Sequence, residues 1–183
     1  MSLDSAHAAH GTAGDARVPV ATESDARLSD PAVFARLARV ARRTPSAPAV
    51  TTSTRTITYG DLVSAARRGA SALHRAHGAG GPDAVPIAVI ADSSVETVVA
   101  ACAVLASGHP LVLVDDRLPR QKRAAVLACA GAVVADLTAS TVAAEVLTPT
   151  AARVERGRTA MVCFTSGSTG IPKGVVLDHG GVA

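Results

Sequence analysis

Between Val85 and Ala135 the chain alternates short apolar runs with helical patterns: Val85–Ala91, Val95–Ala106, Leu111–Val114, Pro119–Ala130 and Ala132–Ala135. A strand that is apolar at consecutive positions must bury both of its faces, and the intervening helices are what cover them. The pattern therefore predicts an α/β fold, a mostly parallel sheet with helices on both faces. A sheet of that kind needs abundant apolar side chains. With 48% hydrophobic and 18% charged residues over 183 positions the chain has them, which excludes a wholly disordered polyelectrolyte. The length corresponds to about one domain of roughly 150 residues, so one core with loose ends is expected.

The flanks read differently. Residues 1–29 are rich in Ala, Ser, Asp, Gly and His without periodicity, and a disordered tail is expected there; the folded part is expected over 30–183. Asp30-Pro31 forms a helix start, with Val33, Phe34, Leu37 and Val40 on one face and Arg36, Arg39 and Arg43 on the other. Pro45 and Pro48 end that helix. Ala49–Thr52 and Thr56–Tyr59 read as two short strands around Ser53-Thr54-Arg55. From about Tyr59 to His77 the spacing predicts a helix burying Leu62, Val63, Ala66, Ala70 and Leu73, and the Gly78–Pro82 cluster then breaks the chain. Thr138–Arg158 is ambiguous, with a break at Pro149, and Ala160–Phe164 is a further strand. No internal repeat is present.

Charge and cysteine usage narrow the function. The net charge of +3 is small, and although residues 31–75 carry eight Arg against Asp61 alone, Phe34, Tyr59 and Phe164 are the only aromatic residues. Single-strand binders need aromatic platforms beside the basic residues, so nucleic acid is not an expected partner. Cys102, Cys129 and Cys163 are far apart, odd in number and without metal-ligand spacing, which reads as core residues in a reducing compartment. The first 30 residues hold no continuous apolar stretch of the secretory kind. Thr97–Ala106, the longest apolar helical run, falls short of the roughly 18 residues a membrane span needs. The expectation is a soluble, cytoplasmic protein.

The chemistry is concentrated after Phe164, in Thr165-Ser166-Gly167-Ser168-Thr169-Gly170-Ile171-Pro172-Lys173-Gly174, beyond which Val175-Val176-Leu177 resumes an extended apolar run. Glycines let a backbone approach an anion closely, hydroxyls and N–H groups donate to phosphate oxygens, and lysine adds a point charge. The chain uses 16 Arg and only two Lys, Lys122 and Lys173, so a lysine in this loop stands out. Three templates fail. A Walker A loop needs Ser or Thr after the lysine and then a helix, whereas Gly174 and an extended run follow here. The dinucleotide fingerprint lacks its first glycine, and the nucleophile elbow has Ser166 where it needs glycine. A flexible Ser/Gly turn between two strands remains the plain alternative.

The string Thr165 to Gly174 resembles the phosphate-binding signature of the adenylate-forming superfamily, which includes acyl-CoA synthetases, luciferases and the adenylation domains of nonribosomal peptide synthetases. Upstream, Phe34 through Pro45 to Ala49 is similar to the family's opening segment, and Ile57-Thr58-Tyr59-Gly60-Asp61-Leu62 resembles its first core motif. Leu105-Ala106-Ser107-Gly108-His109-Pro110-Leu111-Val112-Leu113-Val114-Asp115 resembles the second, in the style of the amino-acid-activating branch. The resemblance covers about residues 31–183. It departs at Asp116, where the family commonly has proline, and at Gly180, where a basic or polar residue commonly follows the histidine.

The resemblance implies an incomplete N-terminal portion of the adenylate-forming enzyme fold, from an enzyme that activates a carboxylate with ATP and Mg2+ to give an acyl-adenylate and pyrophosphate. Thr165, Ser166, Gly167, Ser168, Thr169, Gly170 and Lys173 would hold the nucleotide's phosphates, and no residue is assigned as nucleophile or base. The implied partners are ATP, an amino acid or other carboxylic acid, a carrier protein, and the missing C-terminal half, on another chain if the protein is split. The alternative is a non-catalytic remnant or interaction module that pairs with a separate chain. On either reading the 183-residue chain alone is expected to be inactive. With neighbouring layers absent, apolar strands such as Val85–Ala91 and Ala160–Phe164 are expected to be exposed.

Other residues carry plainer readings. His74 and His77 lie three apart and could share a metal, but without a third ligand they read as polar residues at a helix end. His7 and His10 lie in the tail. Asp115 and Asp116 fall at the carboxyl end of a strand, where α/β ligands sit, and read as a loop capping the next helix. The arginines at 36, 39 and 43 read as a solvated face.

Overall fold

The computed structural model describes residues 32–78, 80, 84–135, 144–145, 159–165 and 172–182. In chain order these form α1 (Ala32–Arg43), β1 (Pro48–Thr51), β2 (Thr56–Thr58), α2 (Tyr59–His77), β3 (Ile87–Ala91), α3 (Val95–Ser107) and β4 (Leu111–Asp115). Then follow α4 (Arg120–Ala130), β5 (Val133–Ala135), β6 (Ala144–Glu145), β7 (Thr159–Thr165), β8 (Lys173–Asp178) and α5 (His179–Val182).

Local chemistry starts the N-terminal layer. Thr52 closes the β1–β2 turn, its hydroxyl accepting the Arg55 N–H at 3.1 Å and donating to the Arg55 carbonyl at 3.0 Å. Three residues into β2 the chain turns helical because Thr58 caps α2, accepting the Asp61 N–H at 3.2 Å while its hydroxyl donates to the Asp61 carboxylate at 2.7 Å. Tyr59 is therefore the first residue of the helix and not the last of the strand. The helix buries Leu62, Val63, Ala66, Ala70 and Leu73, as the spacing predicts. Ala38 and Ala41 of α1, with Phe34 and Leu37 beside them, pack on Val63 and Tyr59.

The main sheet has the order β6-β5-β3-β4-β7-β8, with β5, β3, β4 and β7 parallel and the two outer strands antiparallel. Alternate residues divide between its faces. Ile87, Val89 and Leu111 join Leu73 of α2 and Ala100 and Val104 of α3 in one core, while Ala88, Val112, Val114 and Val162 join Val126, Leu127 and Ala130 of α4 in the other. After β4 the chain returns across β3 to form β5 on its far side. That reversal puts α3 and α4 on opposite faces.

Three expectations need correction or lie elsewhere. The strand expected from Val85 begins at Ile87 because Pro86 has no N–H for a ladder; its carbonyl accepts from Val133 at 3.0 Å, and Val85 is 36% exposed. The apolar strands expected to be exposed are buried: Ile87, Ala88, Val89, Ala160 and Val162 are each at most 3% exposed. The exposed strand is β8, where Val175 is 47% and Val176 49% exposed, because it lies at the sheet's edge beyond the helix cover. The calls on the tail and on Asp30-Pro31 lie outside the described residues, as does most of Thr138–Arg158, of which Ala144–Glu145 forms β6. Among the described residues no helix is long and apolar enough to cross a membrane.

Candidate functional site

Because β3, β4 and β7 run parallel, Ala91, Asp115 and Thr165 end at the same edge of the sheet, the edge where ligands of open α/β sheets sit. From that edge β7 and β8 form an antiparallel ladder pairing Cys163 with Val175, Phe164 with Gly174 and Thr165 with Lys173. Thus the two ends of the predicted phosphate loop, Thr165 and Lys173, stand opposite one another, with the Thr165 hydroxyl 3.5 Å from the Lys173 carbonyl it donates to. Both are exposed, and Lys173 makes no ion pair with a described residue. Ser166, Gly167, Ser168, Thr169 and Gly170 lie outside the described residues. A strand follows Lys173, in keeping with the failure of the Walker A and dinucleotide templates, both of which need a helix there.

Asp115 does not cap the next helix. Its Oδ1 accepts from the backbone N–H of Arg117 at 2.9 Å and from Nε at 3.0 Å, and its Oδ2 accepts from Nη2 at 2.9 Å. These bonds hold its pKa down to about 2. Pro119 occupies the cap position of α4 without any side-chain bond, which is the physical reason the capping expectation fails. The Asp116 N–H donates to Ala91 O at 3.0 Å and joins the ends of β4 and β3. His74 Nε2 bonds the Ser107 carbonyl at 2.9 Å. Burial pushes the Cys102 thiol up to about 11, far from a reactive thiolate.

Two constellations escaped the sequence reading. His109, fully buried, has Nδ1 3.0 Å from Val85 O and Nε2 3.2 Å from Gly78 O, and its ring meets His77 edge to face with centroids 6.3 Å apart. The available signal was a lone histidine within an apolar string. At the end of β3, the Asp92 carboxylate accepts from the Ser94 N–H at 2.9 Å, from the Ser94 hydroxyl and from the Thr97 hydroxyl at 2.6 Å, while Ser94 caps α3. Asp92 and Ser94, with the 52–55 turn, line a crevice of about 370 Å³, on whose wall Arg55 and Glu96 pair at 2.6 Å. Among the described residues of the 165–174 stretch, none lines the crevice. Asp92, Ser94 and Thr97 bond one another there, and the signal for them was the Ser94 cap ahead of an apolar helix.

Residues 37–146 and 134–183 match the family model described as AMP-binding enzyme. The chain belongs to the AMP-binding enzyme family. Among curated relatives, pyochelin synthetase PchF of Pseudomonas aeruginosa is 36% identical over 191 aligned positions, covering 94% of this chain and 10% of that protein. Phenyloxazoline synthase MbtB of Mycolicibacterium paratuberculosis is 34% identical over 203 positions, covering 98% of this chain and 17% of that one. The chain thus spans less than a fifth of either relative. Among solved structures, the N-terminal subdomain of NpsA from Klebsiella oxytoca superposes with a TM-score of 0.63 at 25% identity, over 81% of this chain and 42% of the subdomain. In fold and sequence the chain corresponds to the N-terminal part of an AMP-binding adenylation enzyme.

Proposed function

We propose that this chain is the phosphate-holding N-terminal portion of an enzyme that activates a carboxylic acid with ATP, releasing pyrophosphate and forming an acyl- or aminoacyl-adenylate. The observation that carries the reading is the position of the Thr165–Gly174 string: its ends are clamped across an antiparallel ladder at the ligand-bearing edge of the sheet, in a member of the AMP-binding family. On this reading the carboxylate oxygen attacks the α-phosphorus, the P–O bond to pyrophosphate breaks, and negative charge grows on the leaving group. The hydroxyls of Thr165, Ser166, Ser168 and Thr169 and the backbone of Gly167 and Gly170 donate to phosphate oxygens, and the Lys173 ammonium offsets their charge. The role is electrostatic positioning; none of these groups moves a proton.

Among the described residues no three His, Cys, Asp or Glu side chains converge as a metal site. Two solved relatives favour an aryl acid or an amino acid as the carboxylate: the NpsA subdomain in complex with 3-hydroxyanthranilyl-AMSN and the nonribosomal peptide synthetase FmoA3 in its α-methyl-L-serine-AMP bound form. In a polypeptide that joins this segment to the rest of an AMP-binding enzyme, Lys173→Ala is expected to slow ATP–pyrophosphate exchange by about 10-fold or more. Unchanged exchange would sink the assignment.

One observation favours a second reading, a non-catalytic module that pairs with a separate chain: the exposed apolar strand β8. The two readings separate in that same joined polypeptide, since a remnant restores no exchange.

A further inference from the structure

Strand β8 is held mostly by its ladder to β7. Lys173 through Val176 are exposed. One side chain reaches across. Phe164 and Gly174 are direct cross-strand partners, and a Cβ built on Gly174 would stand 3.2 Å from Phe164 Cε1, 3.3 Å from its Cζ and 3.3 Å from Val162 Cγ1. The Phe164 ring therefore occupies the space a side chain at 174 would take. The same ring packs against the core formed by Val126, Leu127 and Ala130 of α4 with Val162. It links a buried, helix-backed face to the exposed strand at the residue immediately after Lys173.

We propose that Phe164, seated on Gly174, is a positioning residue for Lys173; this rests on the phosphate reading above. The Lys173 ammonium sits at the end of a flexible side chain, and its reach is useful only if its backbone is held at a constant height beside the loop. Ladder hydrogen bonds fix the strand within the plane of the sheet. The ring fixes it against the face. A side chain at 174 would press on the ring, so that the ring or the strand has to give by a few tenths of an ångström, and Lys173 shifts with the strand. Residue 164 acts through Lys173 and touches no phosphate itself.

The probe is inorganic tripolyphosphate, titrated into the purified 183-residue chain and followed by 31P line broadening, which reports weak binding at low protein concentration. The wild type should respond in the millimolar range. Phe164→Ala and Gly174→Val should each weaken the apparent affinity about three- to tenfold, the loss expected when a mobile side chain must be ordered at the moment of binding. Phe164→Tyr, which keeps the ring, should bind as the wild type does. Gly174 is exposed, so Gly174→Val tests the idea even if Phe164→Ala fails to fold. If Lys173→Ala weakens binding while Gly174→Val and Phe164→Ala leave it intact, the positioning role is overturned and the phosphate reading stands. Equal loss in Phe164→Tyr and Phe164→Ala overturns it as well. If the wild type shows no response, or Lys173→Ala responds like the wild type, the phosphate reading itself fails and takes the proposal with it.

Discussion

Replacing Gly69 by alanine sets two effects of known size against each other. In a helix interior the change gains about 1 kcal/mol, chiefly because the unfolded chain loses freedom. Against that, a Cβ on Gly69 would lie 2.6 Å from the Cβ of Ala103, across the contact between α2 and α3. Two carbons rest at about 3.5–4.0 Å, so the helices would have to part by about 1 Å. Ala103 cannot yield: it is completely buried, and its neighbours Ala100 and Val104 pack on the sheet. A contact this short belongs in the upper part of the range of about 1–3 kcal/mol that overpacking costs, about 2–3 kcal/mol, and set against the gain of about 1 kcal/mol it leaves a net loss of about 1–2 kcal/mol. Urea unfolding followed by circular dichroism, repeated at several protein concentrations, measures it, and the midpoint of thermal melting should fall by about 2–8 °C. The stringent control is the cycle with Ala103→Gly. Once that methyl is gone, Gly69→Ala should become stabilising by up to about 1 kcal/mol. An equal loss in both backgrounds, or no loss with Ala103 present, would refute the steric argument.

Further outcomes are expected. Asp92 is held down to about 2, from an ordinary 3.8, first by hydrogen bonds from Ser94 and Thr97. Its folded form is the stronger acid, so this contribution is complete above pH ~4 and is lost as the pH falls through ~2; Asp92→Asn should flatten that limb of the stability curve. It should not abolish the limb, because Asp115 titrates in the same window. The 183-residue chain by itself should show no ATP–pyrophosphate exchange with any amino acid or fatty acid and no saturable ATP binding below about 1 mM by calorimetry, since phosphates held without base and ribose leave little affinity; exchange above background would overturn this. Self-association should run through β8, so Val176→Lys should raise the monomeric fraction in sedimentation velocity, and an unchanged distribution would point to another surface.

The features legible in the amino-acid order are those whose physics is local. Helix α2 was readable from about Tyr59 to His77, with each of its five buried side chains, because a 3.6-residue apolar spacing and the break at Gly78 act within a turn or two of the chain, whereas the Thr58 cap that takes Tyr59 out of the strand came from the structure. The parallel core was readable from the apolar runs, since no other packing buries both faces of such strands. The proposed anion-binding role of Thr165–Gly174 likewise rests on local composition, on glycines, hydroxyls and a lysine close together in sequence.

What only the tertiary structure decided depends on residues brought together from far along the chain. That β8 turns back against β7, placing Lys173 opposite Thr165 and Gly174 under the Phe164 ring, is a matter of register, which no single strand encodes. That β8 is exposed while Ile87–Val89 of β3 is buried follows from strand order, with β3 between β5 and β4 and β8 at the edge. His109 could be placed only once Val85 and Gly78 were seen to present their carbonyls to its ring, 24 and 31 residues away in sequence. Apolar pattern sets which residues must leave water, but the choice of neighbour is made by packing between elements. A polar ring or a glycine acquires its role from that neighbour.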